Sequence, residues 1–443
     1  MSNLIVNIAD FFCGYPLFFL LIGGGAFLFV YSRALPLRYL REAYRSLSND
    51  QSGEGQISSF QALMSTISST VGLGNIAGVA IALVVGGPGA IFWMWVSALF
   101  GMATKFFEGV LAIKYKGTDD RGEVQGGPMY VIIQGLGRRF YPLAVMFAIA
   151  GCIGCLCPMQ ANQLCEAITT ICVCPALGIA DTWVVRLAVG LSVGIIVAIV
   201  VLGGISRVAK VASHLVPTMV GFYFMMVLGI IIANIHLLPS VFKTIITGAF
   251  SLEAGFGALI GVALTGARRA MYVNEAGVGT AGMMHGASNN ASPVREGFVA
   301  MLGPAIDSGF VCTLTAIPII MAGCYHVEGI EGLSIAFNAY EMLIPMVGKY
   351  LLMFVILIFA FSTLFSYSYY GIKCTNFLFG TSKGKYYAWF YIISIIASSV
   401  MSLGVAVSII DLGLVMMCIP NMIAVLRLSP KVMQELRDFE QTR

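Results

Sequence analysis

The chain has 443 residues, of which 58% are hydrophobic and only 10% are charged, and its mean hydropathy is +0.90. Soluble proteins carry about 25% charged residues, so this composition excludes an ordinary soluble domain and predicts a helical protein that crosses the bilayer many times. The net charge of +4 arises without any basic cluster interleaved with aromatic residues, which excludes a nucleic-acid-binding groove.

Apolar stretches long enough to span a bilayer occur eleven times, so we expect an all-α polytopic membrane protein with eleven transmembrane helices. The first stretch, near 11–33, is too long for the apolar part of a cleavable signal peptide, and we expect it to be retained. The other ten lie near 57–85, 89–113, 142–171, 184–204, 211–235, 254–280, 297–322, 350–372, 386–403 and 407–427.

The basic residues predict the orientation of these helices. Most of the 25 lysines and arginines fall on one side of the predicted membrane, and Lys105 and Lys373 are counted with them. Because basic loops remain in the cytoplasm, we expect an inner-membrane protein with its N-terminus outside and its C-terminus in the cytoplasm. The predicted external loops instead carry the acidic residues Asp181, Glu328, Glu331 and Glu341.

Once the first span is set aside, the remaining ten form two groups of five, at 57–235 and 236–428. Each group opens with an apolar helix that glycines and polar residues interrupt. Because each group has an odd number of spans, the second enters the membrane from the opposite side, which is the geometry of an inverted repeat. Residues 1–56 then supply an extra N-terminal helix with a basic loop, and residues 429–443 a cytoplasmic tail.

The first interruption lies between Ser65 and Gly78, where three glycines and a run of hydroxyl side chains share one membrane depth. Lipid offers no hydrogen-bond partners, so such a break is tolerated only beside a protected cavity. Its freed carbonyls can coordinate a hard cation, and its N–H groups can hold a carboxylate. The alternative is close helix packing through Gly74 and Gly78, which does not explain the hydroxyl run. The side-chain oxygens available at this break belong to Ser68, Ser69, Thr70 and Asn75.

The second interruption contains Asn274, Glu275, Gly277 and Gly279. An ionisable residue at membrane depth is a candidate for ion or proton handling. Glu275 also follows Arg268 at a helical spacing of seven residues, so Arg268 or Arg269 could neutralise it structurally. The sequence leaves both interpretations open. Two such breaks in corresponding positions of two halves are typical of the binding site of a secondary transporter.

Further polar groups lie within predicted spans. Pro158 is expected to bend its helix close to Gln160, the hydroxyls of Ser362 and Thr363 could bind a cation, and Asp307 is a candidate buried carboxylate. The chain has no Walker A or HExxH sequence, and its histidines lack metal-ligand spacing. We therefore expect no enzymatic activity, no ATP-driven transport and no cofactor.

Several motifs together resemble the alanine/glycine:cation symporter family, within the amino acid-polyamine-organocation-type transporters. They lie at Val71–Val79, Gly86–Trp95, Gly101–Glu108, Gly126–Tyr130 and Asn274–Gly277. The resemblance implies a leucine-transporter-type five-plus-five fold and sodium-driven uptake of small neutral amino acids, chiefly alanine or glycine. Proton coupling through Glu275 or Asp307 is the alternative that remains.

The resemblance also implies roles for individual residues. The carbonyls of Ser68 and Val71, with the hydroxyls of Ser362 and Thr363, correspond to a sodium site, and Asn75 to an ion ligand or a brace. The implied substrate shell comprises Thr70, Gly72, Gly74, Gln160, Asn274 and Gly277. This chain departs from the family pattern at Tyr367, where members commonly have tryptophan, and at Ile372, where they commonly have glutamate.

Overall fold

The computed structural model describes residues 15–47, 53–250, 256–326 and 332–442, which are mostly helical. Residues 11–14 of the first predicted span, and Glu328 and Glu331 of a predicted external loop, lie outside these ranges. The first half contains α1 (Pro16–Tyr31), α2 (Leu35–Arg38), α3 (Leu40–Ser46), α4 (Ser59–Thr70), α5 (Gly74–Gly86), α6 (Gly89–Lys114), α7 (128–136), α8 (Tyr141–Gly154), α9 (158–177), α10 (Trp183–Val201) and α11 (Gly204–Ala233).

The second half contains α12 (Ile235–Ala249), α13 (Phe256–Asn274), α14 (Thr280–His285), α15 (Pro293–Ala322), α16 (Leu333–Leu343), α17 (Gly348–Phe379), α18 (Gly384–Ser398) and α19 (Leu403–Gln441). Between α6 and α7 the chain forms a small antiparallel hairpin of β1 (Gly117–Thr118) and β2 (Val124–Gln125). The all-α prediction is therefore correct apart from this hairpin and an isolated bridge between Ile57 and Ser288.

Seven helices of the described chain are long and apolar enough to cross a membrane, or eight if the bent pair α4 and α5 is one span. Helices also lie at the other predicted positions, but α1 and α18 are shorter, and α13 is separated from α14 by an irregular segment. The exact number of eleven crossings therefore stays a prediction. At the C-terminus, α19 continues without a break through the predicted boundary at residue 428.

Two lysines that the sequence assigned to the cytoplasmic surface lie inside the protein instead. Lys105 in α6 is 1% exposed, and Lys373 in α17 is 6% exposed. Both occupy helices that pack through the centre of the molecule, where burial makes an ammonium charge costly. The prediction counted them with surface residues because it considered only their distance from the ends of apolar stretches.

Packing brings the two interrupted helices together. Helix α4 packs against α14, and α5 packs against α13, while α6 packs along α13 and α15 and α4 packs against α11 and α17.

We call the end of the bundle that carries β1 and β2 the hairpin end. There, Gln56 N–H donates to the Ala287 carbonyl at 2.8 Å, and Asn289 N–H donates to the Ile57 carbonyl at 2.8 Å. The segment before α4 is thereby fixed to the segment after α14.

A fully buried carboxylate strengthens this closure. Glu296 accepts hydrogen bonds from the Ser59 hydroxyl at 2.6 Å and the Ser288 hydroxyl at 3.0 Å, and it pairs with His285 Nδ1 at 2.6 Å. Its donors come from the start of α4 and from the end of α14 and the loop beyond it. A buried carboxylate with several donors rigidifies its surroundings, so the hairpin end is tightly closed.

Candidate functional site

The first break separates α4 from α5, whose axes differ by 56°. A capping box between Ser58 and Gln61 starts α4, and the helix ends at Val71, where the backbone becomes extended with ψ of 96°. The Gly72 N–H then donates to Asn75 Oδ1 at 2.9 Å, which satisfies one of the groups that the break frees. Asn75 thus bridges the break by a hydrogen bond, and its two predicted roles, ion ligand or brace, stay predictions.

Helix α17 meets this break through its adjacent hydroxyls. The Ser68 hydroxyl donates to the Ser362 carbonyl at 2.8 Å, and the Ser362 hydroxyl lies 3.3 Å from the Ser68 carbonyl. A Cβ atom at position 72 would lie 2.5 Å from Thr363 Oγ1, so only glycine fits there. The structure thus brings together Ser68, Ser362 and Thr363, with Val71 directly beside Gly72.

The two α17 hydroxyls keep lone pairs available. Ser362 Oγ donates to the Phe359 carbonyl at 2.8 Å, and Thr363 Oγ1 donates to the same carbonyl at 3.1 Å. A hydroxyl that gives its proton to its own helix has oxygen lone pairs that can face a cation. These oxygens and the carbonyls at the end of α4 form a set of hard ligands of the kind that alkali cations prefer.

The second break, between α13 and α14, has the stronger backbone distortion. Glu275, Gly277 and Gly279 all have positive φ, at 51°, 92° and 95°. Asn274 Oδ1 accepts from the Ala276 N–H at 3.0 Å and holds the first turn of the break. The Asn274 side-chain nitrogen is buried and has no hydrogen-bond partner in the part of the chain that the structure describes. A non-glycine residue held at positive φ marks Glu275 as a constrained position.

The hydrogen bonds that Glu275 accepts come from residues other than Arg268 and Arg269, the partners that the helical spacing suggested. Its carboxylate accepts hydrogen bonds from the Tyr367 hydroxyl and, at 2.6 Å, from the Thr280 hydroxyl. The cation that acts on it electrostatically is Lys105, whereas Arg269 interacts with Tyr272 and Asp411. Tyr367 stands where the family commonly has tryptophan, so this contact is a feature that the sequence comparison alone did not reveal.

The Tyr367 contact gives a direct prediction about stability. Tyr367→Phe removes one donor from a buried carboxylate, and we expect a loss of about 1–3 kcal/mol, visible as a lower thermal unfolding temperature in detergent. Tyr369→Phe is the matched control, because the Tyr369 hydroxyl is buried without a partner among the described residues. Equal unfolding temperatures for the two variants would show that the Tyr367–Glu275 bond contributes nothing.

A pair of residues missed by the sequence prediction supports the same break. Glu108 of α6 accepts from the Gly277 N–H at 3.1 Å and from the Asn421 side-chain amide at 2.6 Å. Asn421 also donates to the Gly277 carbonyl at 2.8 Å. Both backbone groups of Gly277 are therefore used within the protein, and a Cβ atom there would meet Met422 Sδ at 2.8 Å. Gly277 lies against α19 and is less available to a ligand than the resemblance implied.

Asp307 and Lys105 connect the two breaks. Asp307 lies in a π-helical turn of α15 and accepts a hydrogen bond from the Asn75 side-chain amide. Lys105 interacts electrostatically with the buried carboxylates Glu108, Glu275 and Asp307, without an ion pair of 4 Å or less to any of them. The Gly101–Glu108 motif contained the signal for this cluster, because charged residues within an apolar span are rarely neutral to function.

The remaining predicted substrate residues are Thr70, Gly74 and Gln160. Thr70 donates to the Thr66 carbonyl at 3.2 Å, and the space beside Gly74 is open within 4 Å. Gln160 Oε1 is buried without a partner in the described chain. One turn further along α9, Gln163 lines a cavity of about 670 Å³, together with α5 and α16 at the end opposite the hairpin.

The chain is similar over its whole length to known transport proteins. A model of the sodium:alanine symporter family matches residues 1–443. The sodium/alanine symporter AgcS of Methanococcus maripaludis is 38% identical over 100% of this chain and 98% of its own length. The putative sodium/proton-dependent alanine carrier protein YrbD of Bacillus subtilis is 33% identical over 100% and 93%. The crystal structure of MhsT in complex with L-phenylalanine has a TM-score of 0.58 to this chain at 13% sequence identity, and the match covers 86% of this chain and 99% of MhsT. This similarity shows that the two share a leucine-transporter-type fold.

Proposed function

The chain belongs to the sodium:alanine symporter family, and we propose that it imports alanine and glycine together with sodium by alternating access. The observation that carries this proposal is the meeting of α17 with the first break, where Ser68, Ser362 and Thr363 converge. The three hydroxyls donate their protons to carbonyls of the protein, so their oxygen lone pairs remain available to a cation. Several oxygen atoms that meet at membrane depth can coordinate a cation.

Sodium would bind between α4 and α17, to the carbonyls of Ser68 and Val71 and the hydroxyls of Ser362 and Thr363. Each ligand comes from a backbone end or a side chain that the fold already holds in position. Because the ligands belong to two different helices, a bound ion favours the arrangement in which those helices stay together. One charge that moves down 100 mV releases about 2.3 kcal/mol, which can drive substrate uptake against a gradient.

The amino acid would bind beside the same break, next to Thr70, Gly72 and Gly74. Two buried polar atoms without partners among the described residues suit a zwitterion: the Asn274 amide can donate to its carboxylate, and Gln160 Oε1 can accept from its ammonium. Glycines along the wall let the backbone approach the ligand closely, so we expect a small side chain on the substrate. Gly277 would support the site by its contact with Glu108 rather than by binding the ligand.

Alternating access is supported by the difference between the two ends of the bundle. The Glu296 cluster closes the hairpin end, whereas a cavity of about 670 Å³ lies at the opposite end. We propose that this cavity faces outward, that the N-terminus is outside and that the chain crosses the cell membrane eleven times as an inverted repeat. Rocking of one helix group against the other would then open the hairpin end to the cytoplasm.

The deciding experiment is uptake of radiolabelled alanine into proteoliposomes under an imposed sodium gradient or an imposed proton gradient. Accumulation with sodium alone supports the proposal, and competition by unlabelled glycine tests the second substrate. Accumulation with protons alone would instead implicate Glu275 or Asp307, both fully buried carboxylates. In that case the fold stands, and the coupling ion in this proposal is wrong.

Thr363→Ala tests the sodium site directly. It removes one ligand oxygen, and we expect the sodium concentration for half-maximal uptake to rise at least tenfold, since loss of a charge-assisted contact costs about 1.5–3 kcal/mol. The unfolding temperature should change little. The matched control is Thr244→Ala, which removes an exposed hydroxyl with the same bond to the carbonyl four residues earlier, at 2.8 Å. An unchanged sodium dependence in Thr363→Ala would overturn the site assignment.

A further inference from the structure

A second polar cavity lies at the hairpin end, away from both breaks. Its volume is about 180 Å³, and it is an open pocket lined by α17, the start of α11 and the β1–β2 hairpin. Lys373 lies ten residues beyond Thr363 on α17, which corresponds to about 15 Å along the helix. The cavity is therefore separate from the proposed transport site.

Several polar groups around this cavity lack a hydrogen-bond partner within the described chain. The Lys373 ammonium lies 5.2 Å from the centre of the Tyr369 ring and interacts electrostatically with Asp119 and Glu123, but it donates no hydrogen bond to any described residue. The Gln125 Oε1, Tyr369 hydroxyl and Asn376 Oδ1 atoms are also buried without partners in the described chain. Leaving a buried polar group unsatisfied costs free energy. Three such atoms and a nearly buried ammonium around one cavity indicate a ligand or ordered water inside it.

The charges of the cavity select the class of ligand. Lys373 and Arg121 supply two positive charges, and Asp119 and Glu123 supply two negative charges. Both Asp119 oxygens accept from the hairpin, including the Gln125 amide at 2.6 Å, whereas Glu123 accepts from Gln56 through Oε2 alone, so Glu123 Oε1 is the more available oxygen. A net anion or a net cation would unbalance this set. A neutral zwitterion matches it, with its carboxylate at Lys373 and its ammonium at Glu123 and the amide oxygens of Gln125 and Asn376.

We propose that this cavity is a second binding site for a small zwitterionic amino acid, distinct from the transport site. Its volume of about 180 Å³ accommodates a ligand as small as alanine or glycine. The inference rests on the proposed function only for the identity of the amino acid. An occupant would bridge α17 and the hairpin, whose Asp120 carboxylate also accepts from the Thr381 N–H at 3.1 Å. Binding at this site would therefore favour the closed hairpin end.

The test is the number of radiolabelled alanine molecules bound at equilibrium to the purified full chain in detergent, with sodium and with choline in its place. Because Lys373 would hold the carboxylate and Glu123 the ammonium, binding in this cavity should not require sodium. We expect the wild type to bind two alanines in sodium and one in choline. Lys373→Met should bind one in sodium and none in choline, while Lys373→Arg retains the second site. Lys383→Met is the control, because Lys383 is an exposed lysine at the same end.

The outcomes separate this inference from the proposed function. If the wild type binds nothing in choline but one alanine in sodium, the cavity holds only water and the inference fails while the proposed function stands. If choline-resistant binding survives in Lys373→Met, the ligand binds elsewhere and the inference is also wrong. Should Lys373→Met fail to fold, Glu123→Gln in the hairpin provides the second variant. We expect it to weaken choline-resistant binding about tenfold, and unchanged affinity would overturn the inference.

Discussion

Gly72→Ala is expected to abolish most sodium-driven alanine uptake at millimolar sodium, with the half-saturating sodium concentration raised by tenfold or more. The added Cβ atom would lie 2.5 Å from Thr363 Oγ1, a separation that packed atoms do not adopt. Either the Thr363 hydroxyl turns away from the break or α4 and α17 move apart. Overpacking of this kind costs about 1–3 kcal/mol, and here the cost falls on the ion site itself.

Gly78→Ala is the matched control for this prediction. Gly78 belongs to the same broken helix, and a Cβ atom there would meet nothing within 4 Å. In a helical position alanine is favoured over glycine by up to about 1 kcal/mol, so the control should be at least as stable as the wild type. The measurement is initial uptake as a function of sodium concentration for both variants, reconstituted at equal amounts. Normal sodium affinity in Gly72→Ala would mean that the close approach of the two helices is irrelevant to the ion.

The first break could be predicted because its cause is local. Glycines and hydroxyls at one membrane depth are visible in the sequence, and the structure has the helix ending at Val71, within that segment. The second break is visible for the same reason, and Asn274, Glu275 and the glycines do form it. The closeness of Ser68 and Ser362, nearly three hundred residues apart, followed only from the family resemblance. Spacing along one helix carries no information about such a contact.

The residues that the sequence did not reveal act between helices. The suggested pairing of Glu275 with Arg268 or Arg269 used the helical period, which describes neighbours on the same helix only. The actual donors come from α14 and α17, across the break. Asn421 satisfies Glu108 and Gly277 from α19, more than a hundred residues away from either. Each of these contacts compensates for backbone or charge that the breaks expose, so they arise only once the helices are assembled.

Lys105→Met is expected to destabilise the folded protein strongly. Methionine keeps the length of the side chain but removes the ammonium that acts on Glu108, Glu275 and Asp307. Removing one partner from a buried ionic group typically costs about 3–5 kcal/mol, because the remaining charges stay buried without compensation. We expect little folded protein in detergent and no measurable uptake. Fluorescence-detected thermal unfolding of the purified chain measures the first effect.

Two further variants separate loss of charge balance from simple loss of a side chain. Lys114→Met, on the same helix, breaks an ion pair with Glu435 whose side chains are 28% and 26% exposed, so we expect an effect below about 1 kcal/mol. The double variant Lys105→Met with Glu108→Gln removes one positive and one negative charge together. Its amide oxygen can still accept from Gly277 N–H, which lies 3.1 Å from Glu108 Oε1 in the wild type. If charge balance is the role of Lys105, this double variant should unfold at a higher temperature than Lys105→Met alone, as a double-mutant cycle would quantify. If the double variant is no more stable, Lys105 stabilises the core by packing, and the charge cluster joining the two breaks is not what holds them together.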